Sequence, residues 1–333
     1  MAVYTHIAAE EMARLIAAFD VGPLVSAKGI AEGVSNSNWL IDTAGADGRG
    51  ARFILTMYEQ RVNTAQLPFF LGLLDYLAAG GCPVPRTIHD RDGAAFRFWR
   101  SAGEAKAIAL IEFLPGVSVD KPTPPQARAV GRALAGIHLT ARSFEGQRAN
   151  DLGLNGWLRL ADQCAGHLNA IDPELGALVS GQLHTLTQAW PGDLPQSVIH
   201  ADLFPDNVLM LGDEVSGLID FYFACRDAMA YDLAVTHAAW CFDRDGRGFD
   251  AAVSAALLAG YESVRPLDAG ERAAMPLLAR GAALRFTLTR AYDWVNTPPG
   301  ALVTRKDPLA FARRLAFYAD PANATVFAPV FGA

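Results

Sequence analysis

The chain has 333 residues with 28 basic against 35 acidic side chains, a net charge of −7. At ~100–200 residues per domain this length predicts two domains or two joined lobes, and 51% hydrophobic with 19% charged residues excludes the disordered class. An acidic chain without clustered Lys and Arg is unsuited to tracking a phosphate backbone, so a nucleic-acid partner is not expected.

Cys82, Cys164, Cys225 and Cys241 are far apart and form no C-x-x-C pair, which disfavours a zinc ribbon, a thioredoxin motif or a small disulfide scaffold. Four thiols in a reducing compartment is the plain reading. Glu10 and Glu11 interrupt the apolar N-terminal stretch, which has no basic region before it, so it does not read as a signal peptide. No run of ~18 uncharged apolar residues occurs, so no membrane span is expected. The expected location is cytoplasmic.

In chain order, Thr5 with Ala8, Met12, Leu15, Ile16 and Phe19 predicts a helix opened by a threonine cap. A turn-rich stretch from Gly29 to Asn38 leads into a strand over Trp39–Asp42, and a second strand over Arg52–Tyr58 follows the Gly-rich turn at 44–50. Leu67–Ala79 predicts a helix, and Val84–Ile88 and Ala107–Ile111 predict strands. Beyond Glu112-Phe113-Leu114-Pro115-Gly116 the character turns helical, with helices predicted over 127–140, 249–261, 272–289 and 310–317. Only Val198–His200 and Val208–Ile219, bent at Gly212-Asp213, read as strands in that half. The pattern is a small strand-rich lobe, 1–112, followed by a larger helical lobe, 113–333.

The strongest local signal is His200-Ala201-Asp202-Leu203-Phe204-Pro205-Asp206-Asn207 between two apolar strands, with Gly217-Leu218-Ile219-Asp220-Phe221 thirteen residues after the Asn. Phosphoryl transfer from ATP at a kinase-like site needs this set: a carboxylate for the attacking hydroxyl, an amide oxygen for Mg²⁺, and a second carboxylate gripping the metal. Competing designs fail on inspection. None of the four lysines follows a glycine, so there is no Walker A loop. There is no G-x-G-x-x-G, and the histidines show no metal-ligand pairing.

With Gly33-Val34-Ser35-Asn36-Ser37-Asn38, Ile54–Arg61, Leu67-Pro68-Phe69-Phe70, Glu112–Gly116, Ile219–Cys225, Tyr231-Asp232-Leu233-Ala234 and Leu284–Trp294, nearly the whole chain resembles the aminoglycoside phosphotransferase/choline kinase-like superfamily. Within it the resemblance is to the homoserine kinases of the kinase-like fold. It implies an α+β, bilobal protein-kinase-like fold, with a small antiparallel-sheet N-lobe covering the nucleotide and a larger, mainly helical C-lobe. The implied reaction is ATP-dependent phosphorylation of the hydroxyl of L-homoserine in threonine biosynthesis. The alternatives are another hydroxylated amine as acceptor (an aminoglycoside, choline or similar) or a nucleotide-binding pseudokinase.

The resemblance implies Asp202 as catalytic base and Asn207 and Asp220 as Mg²⁺ ligands. The loop carrying Gly33, Val34, Ser35, Asn36 and Asn38 would cover the triphosphate, and the backbone of Glu112, Phe113 and Leu114 would meet the adenine edge. The sequence departs from the general kinase pattern at Thr56, where a lysine would pair with the phosphates. A hydroxyl supplies no unit charge, so either Mg²⁺ does most of the neutralising or a cation such as Arg52 or Arg61 takes part. The acceptor is a zwitterion, and Arg285, Arg290, Tyr292 and Asp293 are the candidates to hold it; Arg285 and Tyr292, seven apart, share a helix face. Other residues take plainer readings. His138 packs beside the catalytic loop, and His200 shapes that loop by hydrogen bonding. Asp232 is a helix-start cap or loop brace, Trp240 and Trp294 are core aromatics, and Lys106 is a solvated turn charge.

Overall fold

The fold comes from a computed structural model describing residues 7–30, 36–59, 63–101, 104–297 and 305–331. The chain separates into two compact units, Met1–Pro115 and Gly116–Ala333. No helix among the described residues is long and apolar enough to cross a membrane.

The first unit contains α1 (Ala9–Ile16), β1 (Leu24–Ile30), β2 (Asn36–Thr43), β3 (Ala51–Tyr58), α2 (Leu67–Ala79), β4 (Thr87–Ile88), β5 (Arg97–Ser101) and β6 (Glu104–Glu112). The strands form an antiparallel sheet in the order β1-β2-β3-β6-β4, with β5 also pairing to β6. Met12, Ile16 and Phe19 pack against Trp39, Ile41, Leu55, Met57, Ile108 and Leu110, which share one face because alternate strand residues point the same way. The helix cap differs from expectation. Thr5 lies outside the described residues, and the helix starts at Ala9 with Ala8 at its cap and no side-chain cap bond. β1 and β5 were not foreseen: β1 is an edge strand that is mostly exposed, so it carries no apolar alternation to read.

The second unit runs α3 (Pro124–Ala141), α4 (Leu154–Cys164), α5 (Leu168–Ile171), α6 (Leu175–Ala189), β7 (Gln196–Ile199), β8 (Val208–Leu211), β9 (Glu214–Leu218), β10 (Cys225–Ala228), α7 (Met229–Trp240), α8 (Ala251–Glu262), α9 (Ala269–Asn296), α10 (Leu309–Ala319) and α11 (Ala328–Phe331). β7 pairs with β10, and β8 with β9 through a turn at Gly212. Every residue of α7 is buried, so the helix shows no 3.6-residue hydrophobic period, which is why it escaped the sequence reading. α3 and α8 cross at glycines: a Cβ on Gly131 would stand 2.1 Å from the Leu257 carbonyl oxygen, and one on Gly260 2.1 Å from that of Arg128. α9 opens with a capping box between Asp268 and Glu271. Its bulk packs against α4, α7 and α10. No disulfide joins the four cysteines, of which three are buried and Cys82 half-buried.

Candidate functional site

The loop between β7 and β8 is built from its backbone outward. Ile199 ends a buried strand, and two residues later the chain turns through Ala201 at φ +63°, a left-handed conformation that costs an L-residue ~1–2 kcal/mol. Something must hold it, and Asp232 does. One carboxylate oxygen accepts from the Ala201 N–H at 2.8 Å; the other accepts from the His200 N–H at 2.7 Å and meets His138 Nε2 at 3.0 Å. Asp232 lies within α7, whose cap is Ala228; it braces the loop rather than capping the helix. Burial alone would raise its carboxyl, but the hydrogen bond and charge of His138, with the His200 backbone N–H, hold it below the ordinary carboxylate value.

His200 is sealed, and burial pushes its imidazole below the usual value. Nδ1 stands 3.2 Å from the Asp202 N–H and Nε2 2.9 Å from the Ile219 carbonyl. A neutral ring with its proton on Nε2 satisfies both, accepting at one nitrogen and donating at the other. The ring thereby ties the loop to the end of β9, where Asp220 follows at φ +66°.

Asn207 bonds Asp202, and Asp220 lies close enough for its charge to act on Asp202. The Asn207 amide donates to the Asp202 carbonyl at 2.8 Å and to its carboxylate at 3.3 Å. The Asn207 carbonyl accepts from the Ile219 N–H at 3.0 Å, fixing the backbone before Asp220. With its NH₂ committed, Asn207 has its amide oxygen as a remaining acceptor. Desolvation pushes Asp202 up to about 7; Arg285 pulls it down, Asp220 up and Lys306 down. Asp220 is pushed up to about 6, by desolvation first and then by the charge of Asp206. Two carboxylates and an amide oxygen are a donor set of the kind suited to a hard divalent cation.

Two groups around this loop gave no clear sequence signal. Asp206 and Lys306 sit 3.7 Å apart as an exposed ion pair. The Phe204 ring packs on Phe286 at 4.8 Å and lies 5.7 Å from Phe311. Arg285 proves to be internal: it is 1% exposed, bonds the Ala201 carbonyl, and lies between the Phe223 and Phe286 rings at 5.5 and 4.6 Å. Its helix neighbour Tyr292 is exposed, as is Asp293, so the shared face predicted for Arg285 and Tyr292 runs from core to surface. Arg290 is half-buried over Phe311. Trp240 is a core aromatic that also donates to the Leu203 carbonyl at 3.0 Å.

In the first unit, Gly33, Val34, Ser35 and Arg61 lie outside the described residues. Thr56 is buried and its hydroxyl donates to Asn38 Oδ1 at 2.8 Å, while Asn36 is 6% exposed with its Oδ1 unbonded. Arg52 is bound to Asp42 at 2.8 Å and lies over Phe113. Lys106 departs from its expected place in a solvated turn: it lies inside β6, 17% exposed, and pairs with Glu59 at 2.6 Å. Glu112 gives its side chain to Arg86 and its N–H to the Arg86 carbonyl. The chain then leaves the sheet through half-buried Phe113 and Leu114.

A phosphotransferase enzyme family model matches residues 26–267, spanning this whole loop and both carboxylates. The chain belongs to that phosphotransferase family. Among its relatives, the homoserine kinase of Azorhizobium caulinodans is 49% identical over 97% of this chain and 98% of that protein, and that of Rhizobium etli (strain CIAT 652) is 47% identical over 98% and 99%. Amicoumacin kinase, solved with AMP-PNP and Ca²⁺, superposes with a TM-score of 0.67 at 15% identity, covering 93% of each chain. That likeness establishes the bilobal protein-kinase-like fold, and the family establishes an ATP-dependent kinase.

Proposed function

We propose that this phosphotransferase moves the γ-phosphoryl group of ATP to the side-chain hydroxyl of L-homoserine, giving O-phospho-L-homoserine for threonine biosynthesis. The observation that carries the reading is the alignment of homoserine kinases along nearly the whole chain, on a site whose acid, amide and second acid stand together. Asp202 accepts the hydrogen bond of the attacking hydroxyl and takes its proton as the phosphoryl group departs from ADP. Positioning supplies most of the rate, since the Asp232 and Arg285 contacts fix the backbone that aims Asp202.

Asn207 Oδ1 and the Asp220 carboxylate are the proposed Mg²⁺ ligands. Both are oxygen donors, and the upward push on Asp220 is what a cation would relieve. When bound, the metal neutralises charge on the phosphates. In the first unit, the proposed nucleotide groups are the loop through Gly33, Val34, Ser35, Asn36 and Asn38, with Thr56 and the backbone of Glu112–Leu114. With four cysteines and no disulfide between them, we place the protein in the cytoplasm, acting on a small molecule and not on nucleic acid.

ADP release measured with homoserine, choline and aminoglycosides tests the acceptor. Homoserine is expected to be turned over; turnover of choline without homoserine would overturn the assignment. Asp202→Ala should lower turnover by at least ~1,000-fold while ATP still binds.

A further inference from the structure

We infer that Arg290 anchors the carboxylate of the acceptor, so that the enzyme selects an amino acid rather than a simple amino alcohol. This rests on the homoserine reading above and adds the residue that reads the substrate's charge.

The aromatic cluster Phe204–Phe286–Phe311 begins two residues from Asp202, with Phe286 and Phe311 4.9 Å apart. Four cations surround it. Arg285 is sealed and bound to the Ala201 carbonyl. Arg314 is 4% exposed and donates to the Asp243 carbonyl at 2.8 Å. Lys306 lies 5.7 Å from the Phe204 ring centre and is paired with Asp206. Arg290 differs from all three. It lies 4.5 Å over the Phe311 ring, half-buried, and spends one N–H on the Asp307 carbonyl at 3.2 Å.

Arg290 forms no ion pair within 4 Å among the described residues. Burial pushes its guanidinium down to about 10, Arg314 adds to that, and the charges of Asp307, Asp202 and Asp206 act in the opposite sense. It is a desolvated cation that feels the charge of Asp202, and among the described residues one hydrogen bond, to the Asp307 carbonyl, is made by its five donors. A guanidinium fork takes a carboxylate by two parallel hydrogen bonds. In homoserine three carbons lie between the hydroxyl oxygen and the carboxylate, and the inference places the hydroxyl at Asp202 and the carboxylate at Arg290. The stacked Phe311 ring holds the fork in place before substrate arrives.

The test compares L-homoserine with 3-aminopropan-1-ol, which keeps the hydroxyl and amine and lacks the carboxylate. In Arg290→Met, kcat/KM for homoserine should fall about 100-fold or more. kcat/KM for 3-aminopropan-1-ol, or its inhibition constant if turnover is too slow, should change less than about threefold, with KM for ATP unchanged. Arg290→Lys should recover part of the homoserine loss. Equal losses on both compounds, or an undiminished homoserine rate, would overturn the role of Arg290 while leaving the acceptor intact. A wild-type enzyme inactive on homoserine would overturn the acceptor reading and this inference with it.

Discussion

Asp232→Asn removes one formal charge and two lone-pair sites without changing shape. The carboxylate serves three donors, two of them backbone N–H groups and all buried. Asparagine has one acceptor oxygen. If that oxygen keeps the His200 N–H and His138, the new NH₂ faces the Ala201 N–H, donor against donor. Losing that charge-assisted bond costs ~1.5–3 kcal/mol, and stranding a buried N–H a further ~1–3 kcal/mol. A total of about 3–5 kcal/mol corresponds to roughly 8–15 °C in the melting temperature of a unit this size. The loop would also lose the clamp that offsets the left-handed Ala201, so kcat should fall by ~10–100-fold with KM for ATP little changed. Calorimetry of the purified variant beside steady-state kinetics reads both effects. A melting shift under about 2 °C with kcat inside threefold of wild type would refute the brace.

The remaining predictions concern charge and packing. Asp202 has a folded pKa of about 7 against ~3.9 unfolded, so the folded state binds the extra proton between those values and its contribution to stability is lost as pH rises through about 7. Asp202→Asn should therefore melt higher than wild type at pH 8, by ~1–2 kcal/mol, with the advantage vanishing near pH 4; equal gains at both pH values would contradict this. Arg285 favours the ionised carboxyl, so Arg285→Met should move the acid limb of the homoserine pH–rate profile upward, and an unmoved limb would argue against that coupling. Gly131→Ala would drive a methyl into the Leu257 carbonyl and should cost ~1–3 kcal/mol by overpacking, read as a lower denaturation midpoint.

The candidate loop was marked in the sequence by its spacing, and the scaffold around it only in part. Asp202, Asn207 and Asp220 stand out because the proposed phosphoryl transfer would need a base and two metal-binding oxygens at short spacing. Elements that are amphipathic or wholly apolar, such as Leu67–Ala79 and β6, were readable from periodicity. α7 was not, because a helix buried all round has no polar face to mark its turns. Arg285 was a candidate because a zwitterionic acceptor needs a cation for its carboxylate; in the structure its partners are a backbone carbonyl 84 residues away and two rings, which no local pattern reveals. Lys106 was misplaced for the same reason, its partner Glu59 lying on a different part of the chain.

The distribution of thiols has a practical consequence. Burial raises Cys164, Cys225 and Cys241 away from the reactive thiolate, whereas Cys82 is half-buried in the first unit. A maleimide fluorophore applied to the native protein should therefore label one position, giving an optical probe of the sheet-bearing unit during turnover without engineering a single codon.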